Sequence, residues 1–216
     1  MSGAFWTILY FILFLLWLGG IWLYFIIRHS NRAPLSEKKN GLHLVTVLGS
    51  GGHTTEMLDL IKHFDDNAYA TRTYVIANTD NHSEQKAMES ENARNGGTFA
   101  VEKIPRSREV GQSYVSSLLT TAVACCTAFK IVATIRPSIV LVNGPGTCVP
   151  VVAAAAALDM LRWADTRIVY VESICRVENL SLTAKILYYS GIADDIIVQW
   201  PQLKDLYPRV RTLDEL

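Results

Sequence analysis

The chain has 216 residues, half of them apolar, with 20 basic and 20 acidic side chains that cancel in net charge. That length and balance exclude a two-domain chain and suit one folded domain plus one apolar segment; no nucleic-acid partner is expected. Cys125, Cys126, Cys148 and Cys175 suit a reducing compartment. Neither they nor His29, His43, His53, His63 and His82 show metal-ligand spacing, so no metal site is expected.

Residues Phe5 to Ile27 carry no charge and include Trp6, Trp17 and Trp22. As a helix the run spans roughly 35 Å, against about 30 Å of bilayer hydrocarbon, and reads as a membrane anchor over residues 1–28. A cleaved signal peptide is the alternative, but it needs a basic start and a shorter apolar core. Arg28, His29, Arg32, Lys38 and Lys39 follow the run. The positive-inside rule then places the N-terminus in the lumen and the rest in the cytosol. Residues 29–41 read as a linker and 42–216 as the folded domain.

That domain alternates short β-rich runs with helical ones. His43 to Leu48 is followed by Thr73–Ala77, Thr98–Ile104, Ser138–Val142, Arg167–Val171 and Asp195–Val198 as strands. Helical patterns occupy Asn81–Asn95, Ser113–Ile135, Thr147–Trp163 and Leu180–Tyr189, with a turn or helix over Leu203–Tyr207. The expected fold is α/β, a Rossmann-like, doubly wound, mostly parallel sheet.

In such sheets ligands sit beyond the carboxyl ends of the strands. The first strand runs into Gly49-Ser50-Gly51-Gly52-His53-Thr54-Thr55, with Thr54 and Thr55 as an N-cap pair for a helix through Met57, Leu58 and Ile61. Glycines there free the backbone amides to face an anion at the helix start. The turn lacks the Lys of a P-loop and the third glycine of a dinucleotide fingerprint. The third strand runs into Arg106 and Arg108, the fourth into Gly144, Gly146 and Thr147, and the fifth into Glu172. Two glycine turns, an Arg pair and a carboxylate on one rim suit a diphosphate with an acid/base group beside it. Each also has a plainer role: a solvated loop for the arginines, close helix packing for the glycines, loop capping for Glu172.

Taken together, Gly49 to Met57, Arg106 to Ser113, Asn143 to Thr147 and Glu172 to Val177 resemble the membrane-anchoring subunit of the eukaryotic dolichol-linked UDP-N-acetylglucosamine transferase. The likeness covers the chain after the linker. It extends to the N-terminal, acceptor-binding half of the single-chain N-acetylglucosaminyltransferase of bacterial peptidoglycan-precursor synthesis, a two-domain GT-B enzyme. The resemblance implies a half-enzyme, inactive alone, that recruits a soluble donor-binding subunit to the endoplasmic reticulum membrane. It implies transfer of a second N-acetylglucosamine to N-acetylglucosaminyl-diphosphodolichol, with inversion and without a metal or other cofactor, the donor UDP-N-acetylglucosamine being held mainly by the partner. Asp65-Asp66 and Asp194-Asp195 are adjacent pairs, which do not share a face in a strand or helix, and no Asp-x-Asp metal motif is present.

For the proton of the acceptor hydroxyl the first candidate is His53, as the base or as the group that orients the acceptor, with Glu172 the second. The acceptor diphosphate is expected at Gly49, Ser50, Gly51, Gly52, Thr54, Gly144, Gly146 and Thr147, with Arg106 and Arg108 either helping there or touching phospholipid headgroups. Trp200, Leu203, Leu206, Tyr207 and Leu213 resemble the partner-gripping tail, unless they are a terminal helix packed on its own sheet. Two other functions stay open: a membrane-tethered nucleotide-cofactor oxidoreductase, and a scaffold that recruits a complete enzyme.

Overall fold

The computed structural model describes residues 3–31, 41–94, 96–106, 114–144 and 147–215. Seven strands form one sheet in the order β3-β2-β1-β4-β5-β6-β7, every neighbouring pair parallel. They are β1 His43–Leu48, β2 Thr71–Ala77, β3 Thr98–Ile104, β4 Ile139–Asn143, β5 Arg167–Val171, β6 Asp195–Val198 and β7 Arg211–Thr212. The first six follow the doubly wound order of dinucleotide-binding sheets, as expected from the alternation of strands and helices.

Period-two patterning explains how helices cover both faces. Val45, Val47, Val140, Val142, Ile168 and Tyr170 point to the core shared with α4 (Tyr114–Ile135), α5 (Cys148–Met160) and α6 (Leu182–Ser190). Leu44, Leu48, Ile139, Leu141, Val169 and Val171 point to the opposite core, closed by Met57, Leu58 and Ile61 of α2 (Gly52–Ile61) and Ala87 of α3 (Asn81–Asn92). Helix α6 starts on Ser181, whose Oγ accepts from the Ala184 amide at 3.1 Å, and stops at Gly191 with φ 70°.

Three expectations need correction. Helix α2 begins at Gly52, not after a Thr54–Thr55 cap, because the Thr54 hydroxyl donates to the Gly49 carbonyl and sits 2.7 Å from Ser83 Oγ. A seventh strand, β7, was not foreseen: two residues, one of them an arginine, make no hydrophobic run. Helix α1 spans Gly3–Asn31, overrunning the expected linker boundary; residues 32–40 lie outside the described residues.

Phe5–Arg28 is long and apolar enough to cross a membrane. Its last turns are also part of the domain. Phe25 is buried in the α4–α5–α6 core, and Trp22 Nε1 donates to the Tyr189 carbonyl at 2.9 Å. Tyr24 Oη donates to the Asp159 carbonyl at 3.1 Å. Arg28 pairs with Asp159 and reaches Asp194 at 3.6 Å. Phe25 and these bonds join the end of α1 to the fold by packing as well as by the chain.

Candidate active site

Strands β1 and β4 are adjacent in space although two strands and three helices separate them in sequence. The chain reverses its direction across the sheet between them, which opens a crevice at their carboxyl ends. Both ends are glycine turns, and His53 of α2 stands between them. A Cβ built on Gly144 meets the His53 ring at 3.1 Å, and one on Gly49 meets His53 Cβ at 3.2 Å. Gly49 and Gly144 therefore let the imidazole wedge between two strand ends. Gly51 serves differently. Its φ of 73° turns the chain into α2, and side chains at Gly51 or Gly52 would meet open space. The start of α2 is thus bare to solvent, a seat that the helix dipole makes favourable for an anion.

The His53 side chain is about one-third exposed, yet its Nδ1 is buried and has no hydrogen-bond partner among the described residues. The nearest charge is Glu56 Oε2 at 3.7 Å, one helical turn on. Glu56 is itself held from two strands: Ser173 Oγ donates to Oε1 at 2.9 Å and Asn143 Nδ2 donates to Oε2 at 3.3 Å. It also lines a cavity of about 330 Å³ with Asn143, Val171, Ile174, Gln199 and Leu213. Glu56 lies inside the Gly49 to Met57 motif and was not among the expected site residues. The signal was its spacing of three from His53 on one helix face.

Other expected residues divide. Glu172 is 2% exposed, and its oxygens accept from the Ser173 amide at 3.0 Å and the Ser181 amide at 2.7 Å. It ties the β5–α6 loop, the capping role that was its plainer reading. The Thr54 side chain is fully buried and bonded within the turn, so it holds the turn's shape and does not face a ligand. Ser50 is exposed at the crevice, and partly buried Thr147 precedes α5 without capping it through its side chain. Arg106 is half-buried beyond the end of β3, two strands from β1. Arg108 and Gly146 lie outside the described residues. Cys148 donates to the Asn143 carbonyl at 3.1 Å, and burial pushes its thiol up to about 12, which keeps it neutral.

With this geometry in view, comparison with known proteins decides the family. Residues 44–216 match the model described as "Oligosaccharide biosynthesis protein Alg14 like". The chain belongs to that family. It is 48% identical over 179 residues to the UDP-N-acetylglucosamine transferase subunit ALG14 of Mus musculus, covering 79% of this chain and 81% of that one. The protein of the same name from Homo sapiens is 42% identical over 196 residues, covering 88% and 87%. In fold, the chain resembles the MurG crystal structure from Acinetobacter baumannii at a TM-score of 0.54 and 15% identity, over 74% of this chain and 42% of that one.

The tail of this Alg14-like chain separates its expected partner contacts into two groups. Leu203 is fully buried and Tyr207 is 7% exposed, both in the domain's own core, with Trp200 packed beside them. The indole N–H of Trp200 donates to the Ile174 carbonyl at 2.7 Å. Leu206 at 62% and Leu213 at 37% exposure are the two left on the surface.

Proposed function

We propose that this chain is the membrane-anchored, acceptor-binding subunit of a heteromeric UDP-N-acetylglucosamine transferase. The reaction we assign to the complex adds the second N-acetylglucosamine, in β1,4 linkage, to N-acetylglucosaminyl-diphosphodolichol. What carries the reading is the crevice: a histidine wedged between two glycine turns, beside an open helix start, in a chain whose relatives are named as UDP-N-acetylglucosamine transferase subunits. The Gly51–Gly52 amides hold the lipid's diphosphate, with Arg106 supplying positive charge from the same rim. His53 Nε2 takes the proton of the acceptor's 4-hydroxyl as its oxygen bonds to C1 of the donor sugar. The bond from C1 to the UDP phosphate oxygen breaks from the opposite side, inverting the anomeric centre and releasing UDP.

The donor is held by a soluble partner subunit, which meets this chain through a surface that includes Leu206 and Leu213. The anchor lies in the endoplasmic reticulum membrane with its N-terminus in the lumen and the domain in the cytosol. Tethering both site and lipid acceptor to one bilayer raises their effective concentration.

The test is turnover by the purified full-length chain, its partner, and both together, with UDP-N-acetylglucosamine and a short-chain acceptor lipid. Turnover should need both. Changing His53 to Gln should leave assembly intact and slow transfer about 10²-fold. Undiminished turnover by H53Q removes His53 from the chemistry, and full turnover by the partner alone reduces this chain to a scaffold. Glycan on Asn81 or Asn179 of the intact protein would overturn the orientation.

A further inference from the structure

We infer that Glu56 is the positioning residue that aims and charges His53, the third member of an acceptor hydroxyl, imidazole and carboxylate series. The inference rests on His53 acting as the base. A base that accepts a proton at Nε2 must carry one at Nδ1, and it becomes cationic in the transition state. Both demands call for a carboxylate beside Nδ1. The structure places one there: among the described residues Nδ1 is buried without a hydrogen-bond partner, and Glu56 Oε2 lies 3.7 Å away. That distance is within charge-pairing range and longer than a hydrogen bond, as free active sites often show before substrate tightens them.

Glu56 is not a loose surface carboxylate. Ser173, just past β5, and Asn143, at the end of β4, each donate to a different oxygen, so its position is set by two strands other than its own helix. Among the described residues, no other group round the ring offers the same. Glu172 is held by two backbone amides, the Cys148 thiol is neutral, Asp80 accepts from the Ser83 amide and hydroxyl, and Arg106 lies two strands away. Lys86 on α3 is bonded to Thr55 Oγ1.

The test uses the full chain assembled with its partner in membranes and reads the pH profile of kcat/KM for Glu56→Gln and Glu56→Asp. Glutamine removes the charge while keeping an oxygen for Ser173. Transfer should fall about 10-fold to 10²-fold, and the acidic limb of the profile should move to lower pH once the carboxylate charge is gone. Glu56→Asp, which restores the charge, should bring the limb back toward its original position. A limb that stays put in E56Q, or one that moves equally in E56D, leaves Glu56 a mere structural tie and overturns the proposal. The shape of the profile does not depend on how much complex is active, so a partly folded variant still gives an answer. Failure of the underlying reading looks different: H53Q then retains full turnover, whatever E56Q does. If both readings hold, H53Q/E56Q should be no slower than H53Q alone.

Discussion

Two pairs of a nitrogen base and a carboxylate stand on the same sheet, and they have been finished differently. Toward the β3 edge, Arg72 Nε and Nη2 donate to Glu91 at 2.9 and 2.7 Å, and Tyr74 Oη donates to the same carboxylate at 2.6 Å. Two more guanidinium protons go to the carbonyls of Tyr69 and Gly96, and Nη1 also lies 3.5 Å from Asp66 Oδ1. Both side chains are almost wholly buried. At the β1–β4 crevice, His53 and Glu56 are partly exposed, 3.7 Å apart, with Nδ1 unbonded. A fork of fixed donors with every proton used makes a joint. An imidazole left one bond short, beside an anchored carboxylate, keeps a proton position free to change. The hydrogen bond from Arg72 holds the guanidinium ionised, and burial raises the Tyr74 phenol, so neither group of the joint changes charge at physiological pH.

The sharpest way to break this comparison is to cut each pair once. Glu91→Ala takes away the carboxylate that accepts two hydrogen bonds from the buried Arg72 guanidinium and leaves Asp66, 3.5 Å from Nη1, as its one carboxylate among the described residues; it should cost about 3 kcal/mol of stability, enough to threaten folding of the domain. His53→Gln should leave the melting temperature almost unchanged while slowing transfer. Thermal melting and turnover, measured on the same two preparations, check both. Equal effects of the two substitutions on melting would mean that the crevice pair is a joint as well.

A smaller test sharpens the glycine argument. Gly144 holds φ 87°, and a Cβ there would press on the His53 ring at 3.1 Å. Gly144→Ala should cost about 1–2 kcal/mol in stability through backbone strain. It should also slow transfer more than that loss of folded protein explains, because the ring is displaced. Gly52→Ala, where a Cβ meets open space, is the matched control and should keep its melting temperature within about 2 °C.

Much of this was legible beforehand where one residue's chemistry determines its local geometry. The near-continuous apolar runs of His43–Leu48 and Ile139–Asn143, buried on both faces, fit a covered parallel sheet, and the glycines after them mark the strand ends. His53 at the mouth followed from the same turn. What stayed hidden depends on pairing at long range. Nothing local shows that the Glu172 carboxylate accepts from an amide nine residues on while Glu56 meets a serine 117 residues away. The same holds for Leu203 and Tyr207, whose apolar surface reads equally as core or as partner face until the sheet is assembled. Phe25 is an extreme instance: inside an uninterrupted apolar run it looks lipid-facing, and only the packing of α1 on α5 and α6 takes it into the core.

The least effect separates the two histidines that bracket β1. His43, near the start of the strand, has Nε2 2.9 Å from Thr73 Oγ1, and burial lowers its pKa below the usual 6.5. The unfolded chain therefore binds a proton there more readily than the folded one, so the contribution is whole above about pH 6.5 and shrinks as pH falls from there toward the folded value. The ring is half-exposed, so solvent screens the effect. His43→Gln should flatten the fall in melting temperature between about pH 7.5 and 5.5 by no more than about 2 °C. It should leave the pH profile of transfer alone, since His43 lies at the opposite end of the strand from the crevice. A shift in the transfer profile on changing His43 would mean that the ends of β1 are coupled, and the acidic limb could no longer be assigned to His53 and Glu56.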